Sequence, residues 1–491
     1  MQNIPVIQLG IAAVSRDCFP IELSRRRRQK VAAASKALRL PVIEIETVIE
    51  NESDALKALE ELRERQVNAL VVYLGNFGPE GPTTILMQHF AGPVMVVAAA
   101  EESGKDLIDG RGDAYCGMLN NSYNVGLRHL RPYVPEYPVG TADEVAAMIG
   151  EFLPVARVIL GLRGLKIFSF GPRPQDFLAC NAPIKPLYDL GVEVMENSEL
   201  DLYDVFLAAK EDPAVPAIAA DMARQLGAGN HYPDILNKLA QFEAGLLNFM
   251  KANLGASRYA AFADKCWPAF EKYFGFVPCY VNSRLAGRFI PVACEVDIYG
   301  ALSEYMAACA SELPPTLLDI NNTVPADMIA EARAKAKKYK ASDMFMGFHC
   351  GNTPCECLSS CDMKYQLIMH RLQEPGKSPD VTRGTLEGRI RPGDITLFRL
   401  QSTADAHLKA YVAEGEVLDI EPKSFGGIGI TAVAEMGRFY RHVLIGQRFP
   451  HHTAMAFRHV GRTLYSVLAM LGVETHHNRP ATERYPDENP F

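Results

Sequence analysis

Short apolar runs alternating with longer segments of helical period fill the first part of the chain. Residues 3–14 read as a strand that empties into Ser15-Arg16-Asp17, and residues 21–38 as a helix. A strand (Pro41–Ile45), a helix (Ser53–Gln66), a strand (Ala69–Val72) and a further buried strand (Val94–Ala98) follow. This βαβα rhythm predicts a parallel, doubly wound domain. The proline-rich stretch Arg131–Gly140 marks a boundary, crossed by a helix at Ala142–Phe152. A second α/β pattern starts at Leu165–Phe170, turns at Gly171-Pro172, returns as a strand at Val192–Met195 and runs into mostly helical sequence over 197–255. Beyond residue 380 the pattern shortens: Gly384–Ile390, Asp394–Leu400, Lys409–Glu416 and Ile428–Val433 alternate between turns and predict an antiparallel sheet or barrel. A helix at Gly461–Leu471 closes the pattern. The expected fold is α/β: two doubly wound α/β domains (1–155 and 156–312), then an α+β domain (313–491) with an antiparallel β-barrel.

Between these blocks lies the stretch Pro291–Asn322. Pro291–Cys294 is a short apolar approach that ends on Glu295. From Ile298, apolar residues recur at 298, 301, 302, 305, 306 and 309, one face of an amphipathic helix stopped before Pro314-Pro315. Thr316-Leu317-Leu318 reads as a short buried strand ending on Asp319, where an α/β sheet presents ligand contacts. Carboxylates at the edges of apolar runs need a partner. The readings open at this point are a cation, catalysis, a helix cap or an ion pair.

Composition narrows the class. The chain has 491 residues, 48% apolar and 22% charged, with a net charge of −8, which argues against a nucleic-acid or anionic-membrane partner. No window holds the roughly 18 consecutive apolar residues of a membrane span, and the N-terminus lacks a basic leader, so the expectation is a cytoplasmic enzyme or binding protein. Eleven cysteines favour reduced thiols over a disulfide frame. The arginine run Arg25–Arg28 lies inside a periodic segment and reads as a solvated helix face, as does the basic stretch 331–340.

Further groups carry candidate chemistry: Phe348-His349-Cys350-Gly351-Asn352, Phe449-Pro450-His451-His452-Thr453, the polar run 119–124 with Asn121 and Asn124, and the crowded Cys350, Cys355, Cys357 and Cys361. The cysteine spacing fits no common zinc or iron–sulfur pattern. The polar run reads as a turn or as a hydroxyl-binding loop. Two carboxylates with histidine make a hard donor set suited to Mn2+ or Mg2+. Neighbouring side chains diverge, so at most one of His451 and His452 is a direct ligand.

Taken together, VACEVDIYGAL, LLDINN, FHCGN and FPHHTAMAF resemble the L-fucose isomerase/L-arabinose isomerase superfamily, as do SRDCFPIELS and CGMLNNSYNVGLR in the first domain. The resemblance implies a metal-dependent aldose–ketose isomerase acting on an open-chain sugar such as L-fucose or L-arabinose by proton transfer through an enediol. It implies Mn2+ (with Mg2+ or Co2+ as substitutes) held by Glu295, Asp319 and His452, with the two carboxylates catalytic. It counts His349, also beside the metal, and His451 among the substrate-binding residues, together with Arg16, Asn121 and Asn124, which it places at the sugar of a neighbouring subunit in a homo-oligomer, by resemblance a hexamer. The alternatives are a non-catalytic sugar-binding or regulatory protein of the same fold and a cysteine-cluster redox protein.

Overall fold

Five strands, β1 (Leu9–Val14), β2 (Val42–Glu44), β3 (Ala69–Leu74), β4 (Val94–Ala99) and β5 (Val139–Gly140), form a parallel sheet in the order β2-β1-β3-β4-β5. The computed structural model describes residues 3–108, 110–332, 338–367 and 383–489, and the chain divides into two compact units. This first sheet belongs to the unit built from residues 5–160 and 469–472. Strands β1, β3 and β4 are buried along their whole length, as continuous apolar runs require when helices cover both faces. Helix α1 (Ile21–Ala37) packs so closely that a Cβ on Gly75, just after β3, would lie 2.5 Å from the Ser24 Cα. The arginine run on α1 is only half a solvated face. Arg27 and Arg28 are buried, paired with Glu101 and Glu44 and donating to the carbonyls of Gly75 and Ile45.

The polar run 119–124 is a helix, not a turn or loop. It lies within Ala114–Leu127, which buries Gly117, Met118 and Asn121 and leaves Leu119 and Tyr123 exposed. Residues Ala142–Arg163 extend the expected helix by three turns. By length and composition this helix could cross a bilayer. It is instead largely a core helix, with Ile149, Phe152, Val155 and Ile159 buried.

The second unit comprises residues 161–468 and the segments 3–4 and 473–489. Its first sheet, β6 (Leu165–Gly171), β7 (Glu193–Ser198), β8 (Tyr259–Ala263) and β9 (Val292–Ala293), is parallel in the order β7-β6-β8-β9. The second sheet contains β10 (Thr316–Thr323), β11 (Met344–His349), β12 (Asp362–Tyr365), β13 (Arg383–Arg389), β14 (Gly393–Ser402), β15 (Leu408–Val417), β16 (Gly427–Val433), β17 (His452–Ala456) and β18 (Glu474–His477). Its order is β12-β13-β16-β11-β10-β17-β14-β15-β18, with β15 also pairing to β16. The sheet is mixed, not purely antiparallel as the sequence predicts. β13 runs parallel to β16, and β18 parallel to β15, because long connections return these strands to the sheet.

The helix Ile298–Ser311 packs against β6, β8 and β9 on one side and against β10, β14 and β17 on the other. Every residue from Tyr299 to Ser311 is therefore buried, including Ser303 and Glu304, where a one-sided amphipathic helix was expected. The basic stretch expected as a helix over 331–340 is described only at its ends: Ala326–Ala332 is helical, and 333–337 lie outside the described residues.

An aromatic cluster fills the core beneath the first sheet of this unit, with Phe168, Phe242, Phe262 and Phe270 fully buried. Beside it Glu243, 1% exposed, accepts from Arg284 at 2.6 Å and from Arg288. Glu243→Ala removes the buried acceptor of Arg284, which keeps Asp221 and Gln225, and of the partly exposed Arg288, and a loss of about 1–3 kcal/mol is expected, read as a lower urea midpoint. Glu243→Gln, which keeps an acceptor oxygen, should cost less.

Candidate functional site

Three neighbouring strands of the mixed sheet supply most of the candidate residues. On β10, Asp319 pairs across the sheet with His452 on β17 and with Phe348 on β11, one residue before His349. Asp319 therefore sits inside a strand that continues to Thr323, not at a strand end as expected. Glu295 arrives from outside this sheet, just after β9. Its backbone is left-handed (φ 55°, ψ 24°), and so is that of Val296 (φ 58°). Positive φ is strained for any side chain and most of all for a β-branched one, and such strain collects at functional sites.

These elements bring five of the candidate residues together. His452 Nε2 lies 3.2 Å from Glu295 Oε2 and 3.4 Å from Asp319 Oδ1. His451 Nε2 is 3.7 Å from Asp319 Oδ1. The donor atoms of Asp319, His451 and His452 fall within 4.8 Å of one another, and so do those of Cys294, Glu295 and His349. The two adjacent histidines differ as alternation along a strand demands: the His452 side chain is 1% exposed and that of His451 36%. The Phe177 ring stands edge-on to His451 at 5.4 Å and to Trp267 at 6.3 Å, giving the cluster an aromatic wall.

Behind His452 lies a charged chain that the candidate list lacks. Asp297 accepts from His452 Nδ1 at 2.8 Å and from the Arg399 guanidinium at 2.5 and 2.9 Å. Arg399 is fully buried and Asp297 is 1% exposed. The same aspartate caps the following helix through Gly300 N–H at 2.8 Å. Sequence signals for both residues existed. Asp297 occupies an N-cap position, and Arg399 is a charge within the apolar run of β14. Each signal taken alone fits a purely structural role.

Electrostatics follow from this packing. Burial pushes the Asp297 carboxyl up, but Arg399 and His452 outweigh it and hold it well below the carboxylate range. Burial also opposes ionisation of Glu295, yet His452 keeps its pKa below the usual value. Burial alone would neutralise His452, but Asp297, Cys180 and Glu295 raise it well above the ordinary imidazole value. His349 and His451 are depressed, mainly by burial. Asp264, buried near Glu295 and hydrogen-bonded by Asn282 at 3.0 Å, is pushed up to about 7, chiefly by desolvation.

The donor set fits a divalent cation. Glu295 Oε2 and Asp319 Oδ1 are buried, and among the described residues neither has a hydrogen-bond partner of acceptable geometry. Both oxygens face the one imidazole nitrogen that Asp297 leaves free. Two carboxylates and an imidazole suit a hard ion of the Mn2+ or Mg2+ kind.

Three sequence candidates lie outside the unit that holds this cluster. Arg16, Asn121 and Asn124 belong to the other unit, where Glu80 gathers two of them. Arg16 lies 3.7 Å from Glu80 and over the Phe77 ring, and Asn124 donates to Glu80 at 2.7 Å. Asn121 is buried, with its Oδ1 lacking a partner among the described residues. The cysteine loop also departs from expectation. Cys355 and Cys361 form a disulfide, because the loop returns their Cα atoms to 5.8 Å, while the other nine cysteines are thiols.

Asp297→Asn removes the charge that fixes the proton on His452 Nδ1. Divalent-metal binding should weaken by about 10–100-fold in isothermal titration, and the urea midpoint should fall as well, because Arg399 loses its buried counter-charge.

Comparisons with known proteins point to a family. Residues 10–163 match the fucose/sulfoquinovose isomerase N-terminal domain, and residues 347–477 match the L-fucose isomerase C-terminal domain. A sulfoquinovose isomerase of Priestia megaterium is 24% identical over 481 residues, covering 97% of this chain and 99% of its own. Those of Alkalicoccus urumqiensis and Clostridium sp. (strain MSTE9) are 26% and 27% identical, covering 68% and 60% of this chain and 67% and 61% of their own. The chain belongs to the fucose isomerase-like family of aldose–ketose isomerases.

Proposed function

We propose that this protein is a divalent-metal-dependent isomerase that interconverts an open-chain aldose and its ketose. The observation that carries the reading is the buried convergence of Glu295, Asp319 and His452, with His452 pinned from behind by Asp297. Sulfoquinovose is the first substrate to test, since the relatives that match the chain along most of its length carry that name. L-fucose and L-arabinose are the other members of the panel.

Glu295, Asp319 and His452 would hold the ion, with Mn2+ expected and Mg2+ or Co2+ as substitutes. Such an ion supplies Lewis acidity to two adjacent sugar oxygens. Glu295 is ionised and 11% exposed, so it can take the proton that moves between C1 and C2 without competition from water. Asp319, 20% exposed and beside His451, is placed to exchange the hydroxyl protons. The reaction then passes through an enediol, and no nucleotide or flavin is required.

Chelation should abolish turnover of the aldose panel, and added Mn2+ should restore it. Glu295→Gln should lower kcat by at least about a hundredfold with the fold intact. Full activity after chelation, or a near-wild-type rate in Glu295→Gln, would remove the metal and the base from the reading.

Assembly is part of the proposal. Arg16, Asn121 and Asn124 are taken to reach the sugar in a neighbouring subunit of a closed homo-oligomer, a hexamer by family resemblance. Arg16→Ala and Glu295→Gln are each expected to be inactive. Mixed under subunit exchange they should regain activity, because some sites then combine both intact residues. Proven exchange without recovery would place Arg16 outside the shared site.

A further inference from the structure

The two innermost histidines of the cluster set their Nδ1 atoms against opposite kinds of partner, an acceptor for His452 and a donor for His349. His452 Nδ1 faces the Asp297 carboxylate at 2.8 Å, which can only accept, so this nitrogen keeps its proton and Nε2 is the nitrogen turned toward Glu295 and Asp319. His349 shows the reverse. Its Nδ1 accepts the backbone N–H of Cys350 at 2.9 Å, so a neutral His349 ring carries its proton on Nε2. A ligating Nε2 would need that proton moved to Nδ1, where it would meet the Cys350 N–H head-on.

His349 is held for this role by its surroundings. It ends β11, is 3% exposed, and its ring centroid lies 6.0 Å from that of His452. One of its ring nitrogens lies within 4.8 Å of the Glu295 carboxylate and Cys294 Sγ. Gly351 fixes the chain just beyond, since a Cβ there would lie 2.4 Å from the Leu386 backbone nitrogen.

We propose that His349 is a hydrogen-bond donor to a substrate oxygen through Nε2–H, and not a ligand of the metal. The identity of the oxygen rests on the isomerase reading, while the tautomer and the exclusion from the metal shell do not. As a donor fixed before the substrate arrives, His349 would stabilise negative charge developing on a sugar oxygen during proton transfer.

Three measurements test this. In chelated wild-type protein with 15N-labelled histidine, NMR should show His349 protonated on Nε2 and not on Nδ1, and His452 carrying a proton on Nδ1, with assignments from single variants. His452→Ala should weaken Mn2+ binding about tenfold or more, whereas His349→Ala should leave it nearly unchanged. His349→Ala should lower kcat by about a hundredfold, and His349→Gln, whose amide N–H replaces the Nε2–H, should recover most of that loss. A His349 protonated on Nδ1, a loss of Mn2+ in His349→Ala as severe as in His452→Ala, or a glutamine variant no better than alanine would overturn the proposal. If the wild type turned over no aldose, the isomerase reading would fail, yet the NMR and metal arms would still decide the ligand question.

Discussion

The chain from Arg399 through Asp297 to His452 is the interaction on which the site depends. Arg399 brings a full charge into a layer where no water reaches it, and its bidentate contact with Asp297 is what makes that burial tolerable. Asp297 then does three jobs with one carboxylate: it balances Arg399, caps a helix and orients His452. Each partner comes from a different element, so the site forms only when β14, β17 and the helix Ile298–Ser311 dock together. A fixed His452 leaves one nitrogen facing the space where Glu295 and Asp319 present oxygens that have no hydrogen-bond partner among the described residues. Preorganisation of this kind lets carboxylates and imidazole meet a cation without further reorganisation.

The helix Ile298–Ser311 explains how so polar a cluster can be buried. It is sandwiched between the parallel sheet of its unit and the mixed sheet, so its N-terminus lies inside the protein. The residues just before it have no room for a relaxed turn, and Glu295 and Val296 take left-handed backbone conformations instead. That strain is held by packing on both sides, and it sets Glu295 against His452.

Much of the first unit and the strands of the second were legible in the sequence. β1, β3, β4 and β6 lie inside or close to the expected spans because a buried strand in a parallel sheet is a continuous apolar run between turns. The motif residues Glu295, Asp319, His349, His451 and His452 were also visible, as hydrophilic groups at the edges of such runs. Three readings failed for reasons that local pattern cannot reach. Asn121 and Asn124 sit in a helix, because tertiary burial of one face of Ala114–Leu127 outweighs the turn preference of asparagine and serine. The helix after Glu295 is buried all round, because a second layer covers its polar side. Two arginines of the run on α1 are buried, because acceptors sit beside them that are distant in sequence.

Composition, period and the order of short motifs by themselves determined the α/β class, the alternation of elements and the residue types of the candidate site. Those properties depend on neighbours within a few positions along the chain, and a sequence displays them directly. The tertiary structure alone decided which atoms meet. The pairing of Asp319 with both Phe348 and His452 is a matter of strand register across three strands far apart in sequence. The roles of Asp297 and Arg399 arise from a contact between residues 102 positions apart. The proton positions on His349 and His452 follow from what each Nδ1 touches, Cys350 N–H in one case and a carboxylate in the other. Hydrogen bonds and charges act over a few ångströms of space and are indifferent to separation along the chain, so only folding reveals them.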